Sequence, residues 1–213
     1  MNTDSVMKTG TTTIGIVCKD GIVFAADKRA TAGNFIADKR ADKIHQVAEF
    51  IGVTIAGLVS DAQLLIKLIR AELQLKKLRT NKETTVSEAA NLVAGLTYGN
   101  IRRPSMLPGI VGFIVGGRDD TGYYLFNIGP DGSVSQEPEY TSDGSGSVFA
   151  LGVLETSYRK GMSIDEGVKL AAKALHAAVQ RDSASGSGFD MMTITKEGYK
   201  KIITKELKVL VEV

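Results

Sequence analysis

The sequence is poor in several things, and each shortage removes a class of protein from consideration. It has one cysteine, Cys18, so an intrachain disulfide is impossible and a reducing compartment is the natural setting. Cys18 lies in an apolar stretch and reads as a small core side chain rather than a reactive thiol. The two histidines, His45 and His176, cannot build a three-histidine metal site, and no Cys/His cluster suggests structural zinc. His176 falls in an alanine-rich helical segment and reads as a packing or surface residue. Neither a metal nor a cofactor is expected. No apolar run approaches the length of a membrane span, and the opening MNTDSVMKTG lacks the apolar core of a secretory signal. Nor is there an excess of one charge. The 26 Lys plus Arg against 24 Asp plus Glu leave a net charge of +2, which gives no reason to expect nucleic acid or a membrane surface as partner. These shortages together suggest a cytoplasmic protein. Proline is scarce, at 4, while glycine reaches 23, a balance that suits sheets joined by tight turns.

What is present is enough for one sizeable domain: 213 residues, 43% of them hydrophobic, with no repeat, low-complexity tract or linker. Residues 12–18, TTIGIVC, alternate as a strand; Lys19, Asp20 and Gly21 read as a hairpin turn, and IVFAAD as the returning strand. Residues 43–47 and 50–57 predict another short strand pair. Four strands are thus expected before any helix. Ser60 with Gln63 reads as a capping box opening a long helix. Leu64, Leu68, Ala71, Leu75 and Leu78 form one stripe on it. Leu65, Ile66, Ile69 and Leu73 widen the apolar surface to other faces, so partner subunits are expected to cover part of that second set. Thr85 with Glu88 caps a second helix ending before Pro104. Strands return in GIVGFIVGG and YYLFNIG. Residues 147–158 read as a helix, Ser163 with Glu166 caps another, and FDMMTIT and the final KVLVEV read as strands. Strands and helices grouped in this order argue for two packed antiparallel sheets with helices outside.

One junction stands out. Gly10 precedes three threonines, Thr11, Thr12 and Thr13, which run into the first strand. Taken alone, the glycine closes a leader and the β-branched threonines favour a strand. In company the stretch means more. GTTTIGI, AADKRAT, ADKIHQ and RDSASG, with IAGLV and DGSGS, occur in order along nearly the whole chain from Thr11 onward. In this combination the sequence resembles the β subunits of the proteasome, most nearly the archaeal type. The resemblance implies an N-terminal nucleophile hydrolase fold, α+β, with four αββα layers, and a leader, residues 1–10, cut from a peptidase domain, residues 11–213. It also implies a threonine endopeptidase.

The chemistry is intelligible from the residue types. A threonine hydroxyl needs a base, and a threonine at a chain terminus carries one in its own α-amino group, which titrates near ~8. Thr11 acquires that amine only if the Gly10–Thr11 bond is cut, and the resemblance implies self-cleavage there. Thr12 and Thr13 read as strand residues. Lys43 matches the family's catalytic lysine and Asp27 its acidic partner; Lys28, Arg29, Lys39 and Arg40 read as surface charges. Ser145, Asp182 and Ser185 match positions around the threonine amine. Gly57 matches the backbone donor to the oxyanion, where a fixed N–H is worth most. Thr31 and Val59 match positions whose backbones pair with an extended peptide. Ala30, Ala41, Ile55 and Val59, with His45 nearby, match the first specificity pocket, so apolar residues are expected before the cut bond; a core role for Ile55 is equally compatible.

As partners the resemblance implies other β subunits in heptameric rings, proteasome α subunits, a regulatory ATPase ring acting through the α ring, and unfolded protein substrates. Three other readings compete. An inactive ring subunit would lack the Gly-Thr junction or the Asp/Lys set, both of which are present, whereas a precursor, with Thr11 still acylated by Gly10, stays open as the alternative. The related bacterial ring peptidase has shorter chains without the RDSASG match. A small-molecule amidase finds no support in the sequence.

Overall fold

Strands β1 (Thr13–Cys18) and β2 (Gly21–Asp27) form a hairpin turning at Lys19 and Asp20, with Cys18 opposite Gly21, in a computed structural model that describes residues 10–206. Every residue of β2 is buried, and its alternation shows why. Val23 and Ala25 face one apolar layer, while Ile22, Phe24 and Ala26 face another. A strand covered on both sides has no place for a polar residue until its end, where Asp27 stands.

The remaining elements are β3 (Ala30–Ala32), β4 (Phe35–Asp38), β5 (Ile44–Ala48), β6 (Ile51–Gly57), α1 (Val59–Thr80), α2 (Val86–Ile101), β7 (Val111–Asp119), β8 (Gly122–Ile128), β9 (Val134–Gln136), β10 (Tyr140–Asp143), α3 (Ser147–Ser157), α4 (Ile164–Arg181), β11 (Gly188–Thr195) and β12 (Gly198–Glu206). One five-stranded sheet runs β10-β1-β2-β11-β12 and the other β5-β6-β7-β8-β9, both antiparallel throughout; β3 and β4 form a separate small hairpin. Ile22, Phe24, Ile114, Leu125 and Ile194 fill the space between the sheets. α3 and α4 cover the first sheet through Leu154, Leu170, Ala174 and Leu175. α1 and α2 cover the second through Leu65, Ile69, Val86 and Val93. The four αββα layers expected from the sequence are present.

The capping boxes of α2 and α4 form as their sequences predict: Thr85 accepts from the Glu88 amide and Ser163 from that of Glu166, with both glutamates reaching back. The third does not. α1 begins two residues earlier than its Ser60/Gln63 pair requires, Leu58 is its N-cap, and no side chain caps it. Its faces are also reversed. Leu65, Ile66, Ile69 and Leu73 are buried against the second sheet, and Leu64, Leu68, Leu75 and Leu78 are the residues left exposed. Six strands, not four, precede α1, because the β3–β4 hairpin was not evident in the sequence. The expected strand at KVLVEV lies outside the described residues.

Cys18 is buried, and that burial pushes its thiol up to about 12, which fits a core side chain rather than a nucleophile. His176 is exposed on α4. Among the described residues no helix is long and apolar enough to cross a membrane.

Candidate active site

Thr11 is buried where the leading ends of β1 and β5, the tail of β2 and two loops converge. Its hydroxyl donates to the Gly10 carbonyl oxygen at 2.7 Å, so the oxygen of the candidate nucleophile lies against the peptide bond preceding it. The Thr11 carbonyl accepts from the Gly146 amide at 3.2 Å. Gly144 has φ +95, and a Cβ there would come 2.2 Å from that same carbonyl oxygen, so the loop passes at a distance only glycine permits. Gly10 is equally constrained. A Cβ at that position would overlap the Ala184 Cβ at 1.7 Å. The glycine before Thr11 is thus required by packing against the 182–185 loop. Thr31 accepts from the Gly10 amide at 2.9 Å through its side-chain oxygen, so it engages the segment through its hydroxyl.

Asp27 ends β2 fully buried, and four donors meet its carboxylate. Oδ1 accepts from the Lys43 ammonium at 2.7 Å and the Thr12 amide at 2.9 Å; Oδ2 accepts from the Arg29 amide at 3.0 Å and the Gly186 amide at 2.9 Å. Four donors on two oxygens fix the orientation of the carboxylate. Lys43, on the residue before β5, is itself buried. Burial pushes its ammonium below the ordinary 10.5, and the Asp27 carboxylate opposes that shift without cancelling it. A second network surrounds the Thr11 nitrogen. The Thr11 N–H donates to Ser145 Oγ at 3.2 Å, and the Ser145 hydroxyl donates to Asp182 Oδ2 at 2.6 Å. Ser185 also donates to Asp182 Oδ2 at 2.6 Å, but its oxygen sits 2.7 Å from the Thr12 hydroxyl rather than on Thr11.

A cleft of about 540 Å³ opens beside Thr11 and Lys43. Ala30, Thr31, Ala41, His45, Ile55, Gly57 and Val59 all line it. Ile55 also belongs to the core beneath α1, so its two readings are compatible. Gly57 has φ +128, and a Cβ there would lie 2.2 Å from the Ile110 carbonyl oxygen, so no other residue fits the end of β6. Burial and the Arg70 charge lower the pKa of His45, which keeps its imidazole neutral at physiological pH.

The sequence reading missed part of this. Thr12 reads as a strand residue, yet its side chain enters the Ser185 network. Lys28 is no surface charge: it is buried and paired with Asp190 at 2.9 Å. Arg29 donates to the Ser183 carbonyl at 2.8 Å, and Arg40 lines the cleft. Of that group Lys39 and Arg40 are exposed, as a surface charge should be. Asp38, Asp42 and Gln63 also line the cleft. The DKR run next to a matched aspartate offered a signal for Arg29, whereas nothing local marks Thr12.

The chain is similar to known proteins along nearly its whole length. Residues 7–194 match the family model described as proteasome subunit. The chain is 44% identical over 209 residues to the proteasome subunit beta of Ferroglobus placidus, covering 98% of this chain and 97% of that protein. It is 44% identical over 212 residues to that of Methanohalophilus mahii, covering 100% and 99%. With the protein of the same name from Methanocaldococcus vulcanius it shares 44% identity over 199 residues, covering 93% and 87%.

Proposed function

The chain belongs to the proteasome subunit family, and from that premise we propose that it is the threonine endopeptidase β subunit of a 20S core particle, made with a leader that it removes itself. The carrying observation is the Thr11 hydroxyl set against the Gly10 carbonyl, with the Asp27–Lys43 pair on one side and the Ser145–Asp182 pair on the other.

Self-cleavage follows from the connectivity. Attack of Thr11 Oγ1 on the Gly10 carbonyl carbon closes a five-membered ring through Cβ, Cα and the amide nitrogen. Collapse of that ring expels the nitrogen as an amine and leaves residues 1–10 as an ester on the hydroxyl, which water hydrolyses. The freed Thr11 amine is then the base for later turnovers, with Ser145 and Asp182 orienting it. Lys43, held by Asp27, places a positive charge that eases ionisation of the hydroxyl. In peptide hydrolysis the roles repeat. Thr11 Oγ1 attacks the scissile carbonyl, the Gly57 N–H stabilises the oxyanion, and the leaving amine takes the proton that the Thr11 amine removed. Thr31 and Val59 engage the substrate backbone. Ala30, Ala41, Ile55 and Val59 favour an apolar side chain before the cut bond, with His45 at the wall. N-terminal sequencing of active protein should begin TTTIG; an active preparation still carrying its leader would overturn this scheme.

A peptidase with so permissive a pocket needs seclusion from folded proteins. Assembly with other proteasome subunits follows from the family. The finer arrangement we propose is heptameric β rings stacked between α rings in the cytoplasm, fed with unfolded chains by an ATPase ring. Leu64, Leu68, Leu75 and Leu78, exposed on α1 opposite its buried face, support a subunit contact there. Leu68→Glu with Leu75→Glu should leave the monomer folded, because neither side chain is in the core, yet impair assembly and hydrolysis together. Sedimentation alongside a peptide assay checks this; normal rings from the double variant would place the contact elsewhere. The same change at Ile69 or Leu73 should instead disrupt the core.

A further inference from the structure

Thr12 sits where the two halves of the site meet. Its backbone belongs to the Asp27 side: its N–H donates to Asp27 Oδ1 at 2.9 Å, and its carbonyl accepts from the Asp27 N–H at 3.2 Å. Its side chain belongs to the other side, with Oγ1 2.7 Å from Ser185 Oγ. The direction of that last bond can be worked out. A serine hydroxyl has one proton, and Ser185 gives its proton to Asp182 Oδ2. The proton between Thr12 and Ser185 therefore comes from Thr12.

The donors then run in order. Thr12 donates to Ser185, Ser185 to Asp182, Ser145 to the same Asp182 oxygen, and the Thr11 N–H to Ser145. This chain begins and ends on adjacent residues, so the Thr11–Thr12 peptide closes it into a ring. Thr12 is fully buried, and the backbone of Gly146 covers its hydroxyl, since a Cβ at that position would stand 2.0 Å from Thr12 Oγ1.

We infer that Thr12 is a positioning residue for the peptidase: its hydroxyl pins Ser185 and, through Asp182 and Ser145, sets the orientation of the Thr11 nitrogen. The inference rests on the reading of Thr11 as nucleophile and extends it to a residue that a strand role would otherwise explain. The physical basis is the cost of an unsatisfied partner. Without the Thr12 donor the buried Ser185 oxygen faces a methyl group, and the serine loses the contact that fixes its rotamer. A linked network of this kind loosens as a unit.

The test uses the assembled protein carrying Thr12→Val, Thr12→Ser, Ser185→Ala, or Thr12→Val with Ser185→Ala. Valine keeps the shape and removes the donor. Thr12→Val should lower kcat about tenfold with KM unchanged, while Thr12→Ser retains most of kcat. Adding Thr12→Val to Ser185→Ala should cost little more, because both remove the same link. Failure of Thr12→Val, but not Thr12→Ser, to shed the leader counts as the same loss. The inference is overturned by wild-type kcat in Thr12→Val, by Thr12→Ser as impaired as Thr12→Val, by losses that simply add in the double variant, or by a loss confined to KM. Residual hydrolysis in Thr11→Ala would instead overturn the underlying assignment of the nucleophile.

Discussion

Thr11→Ala is expected to abolish peptide hydrolysis, by roughly 10³-fold or more, and to leave residues 1–10 attached. Both reactions use one oxygen in our scheme, so they should be lost together. The fold should persist. Among the described residues the Thr11 hydroxyl donates only to the Gly10 carbonyl, and β1 starts two residues later at Thr13. Removing a hydroxyl and a methyl there touches no core layer. A peptide assay and an intact-mass measurement on the same sample check both halves. Leader removal without Thr11 would mean that another group cuts the chain, and hydrolysis without it would move the nucleophile elsewhere.

Lys43 carries the second large effect, and the choice of replacement decides what is learned. Lys43→Ala strands the buried Asp27 carboxylate without its cation, which costs about 3–5 kcal/mol when one partner of a buried pair is removed. Lost activity in that variant mixes chemistry with stability. Lys43→Arg retains the positive charge, yet a planar guanidinium cannot take the place of a compact ammonium 2.7 Å from one carboxylate oxygen. We expect Lys43→Arg to lose at least ~10²-fold in kcat through displacement of the charge, with melting close to wild type. The wild-type pH profile offers a further check. Burial lowers the Lys43 pKa, so as pH rises the ammonium gives up its proton before an ordinary lysine would. Hydrolysis should therefore decline on the alkaline side below the usual 10.5. Near-normal turnover in Lys43→Arg would reduce Lys43 to a structural cation.

The sequence revealed elements whose signal is local. Thr85/Glu88 and Ser163/Glu166 place the starts of α2 and α4, and the apolar alternation of β1 and β2 places the central hairpin. It was silent where the deciding partner is distant. α1 has apolar residues on more than one face, and both sets obey helical spacing; only the presence of the second sheet selects Leu65, Ile66, Ile69 and Leu73 for burial. β9 is short with all three of its residues exposed, and edge strand β12 sets Lys200 and Lys201 beside Ile202 and Ile203 in pairs rather than alternating, so neither announces itself as a strand. The family motifs pointed to several residues that line the cleft, Ala30, Ala41, His45 and Val59 among them, but not to Asp38, Asp42 or Gln63. Lys28 and Thr12 were not. One is buried by Asp190, 162 residues away, and the other is bonded to Ser185, 173 residues away.

The overlap between a Cβ at position 10 and that of Ala184 has a consequence for how such a chain can change over time. In our scheme the upstream leader can drift, but its last residue, Gly10, is fixed by a loop that must outlast it. A larger side chain at position 10 would have to be matched by movement of the 182–185 loop, which carries Asp182 and Ser185. A peptide discarded as we propose would thus restrict variation in the enzyme it leaves behind, and only a paired change, such as glycine at 184, would release it.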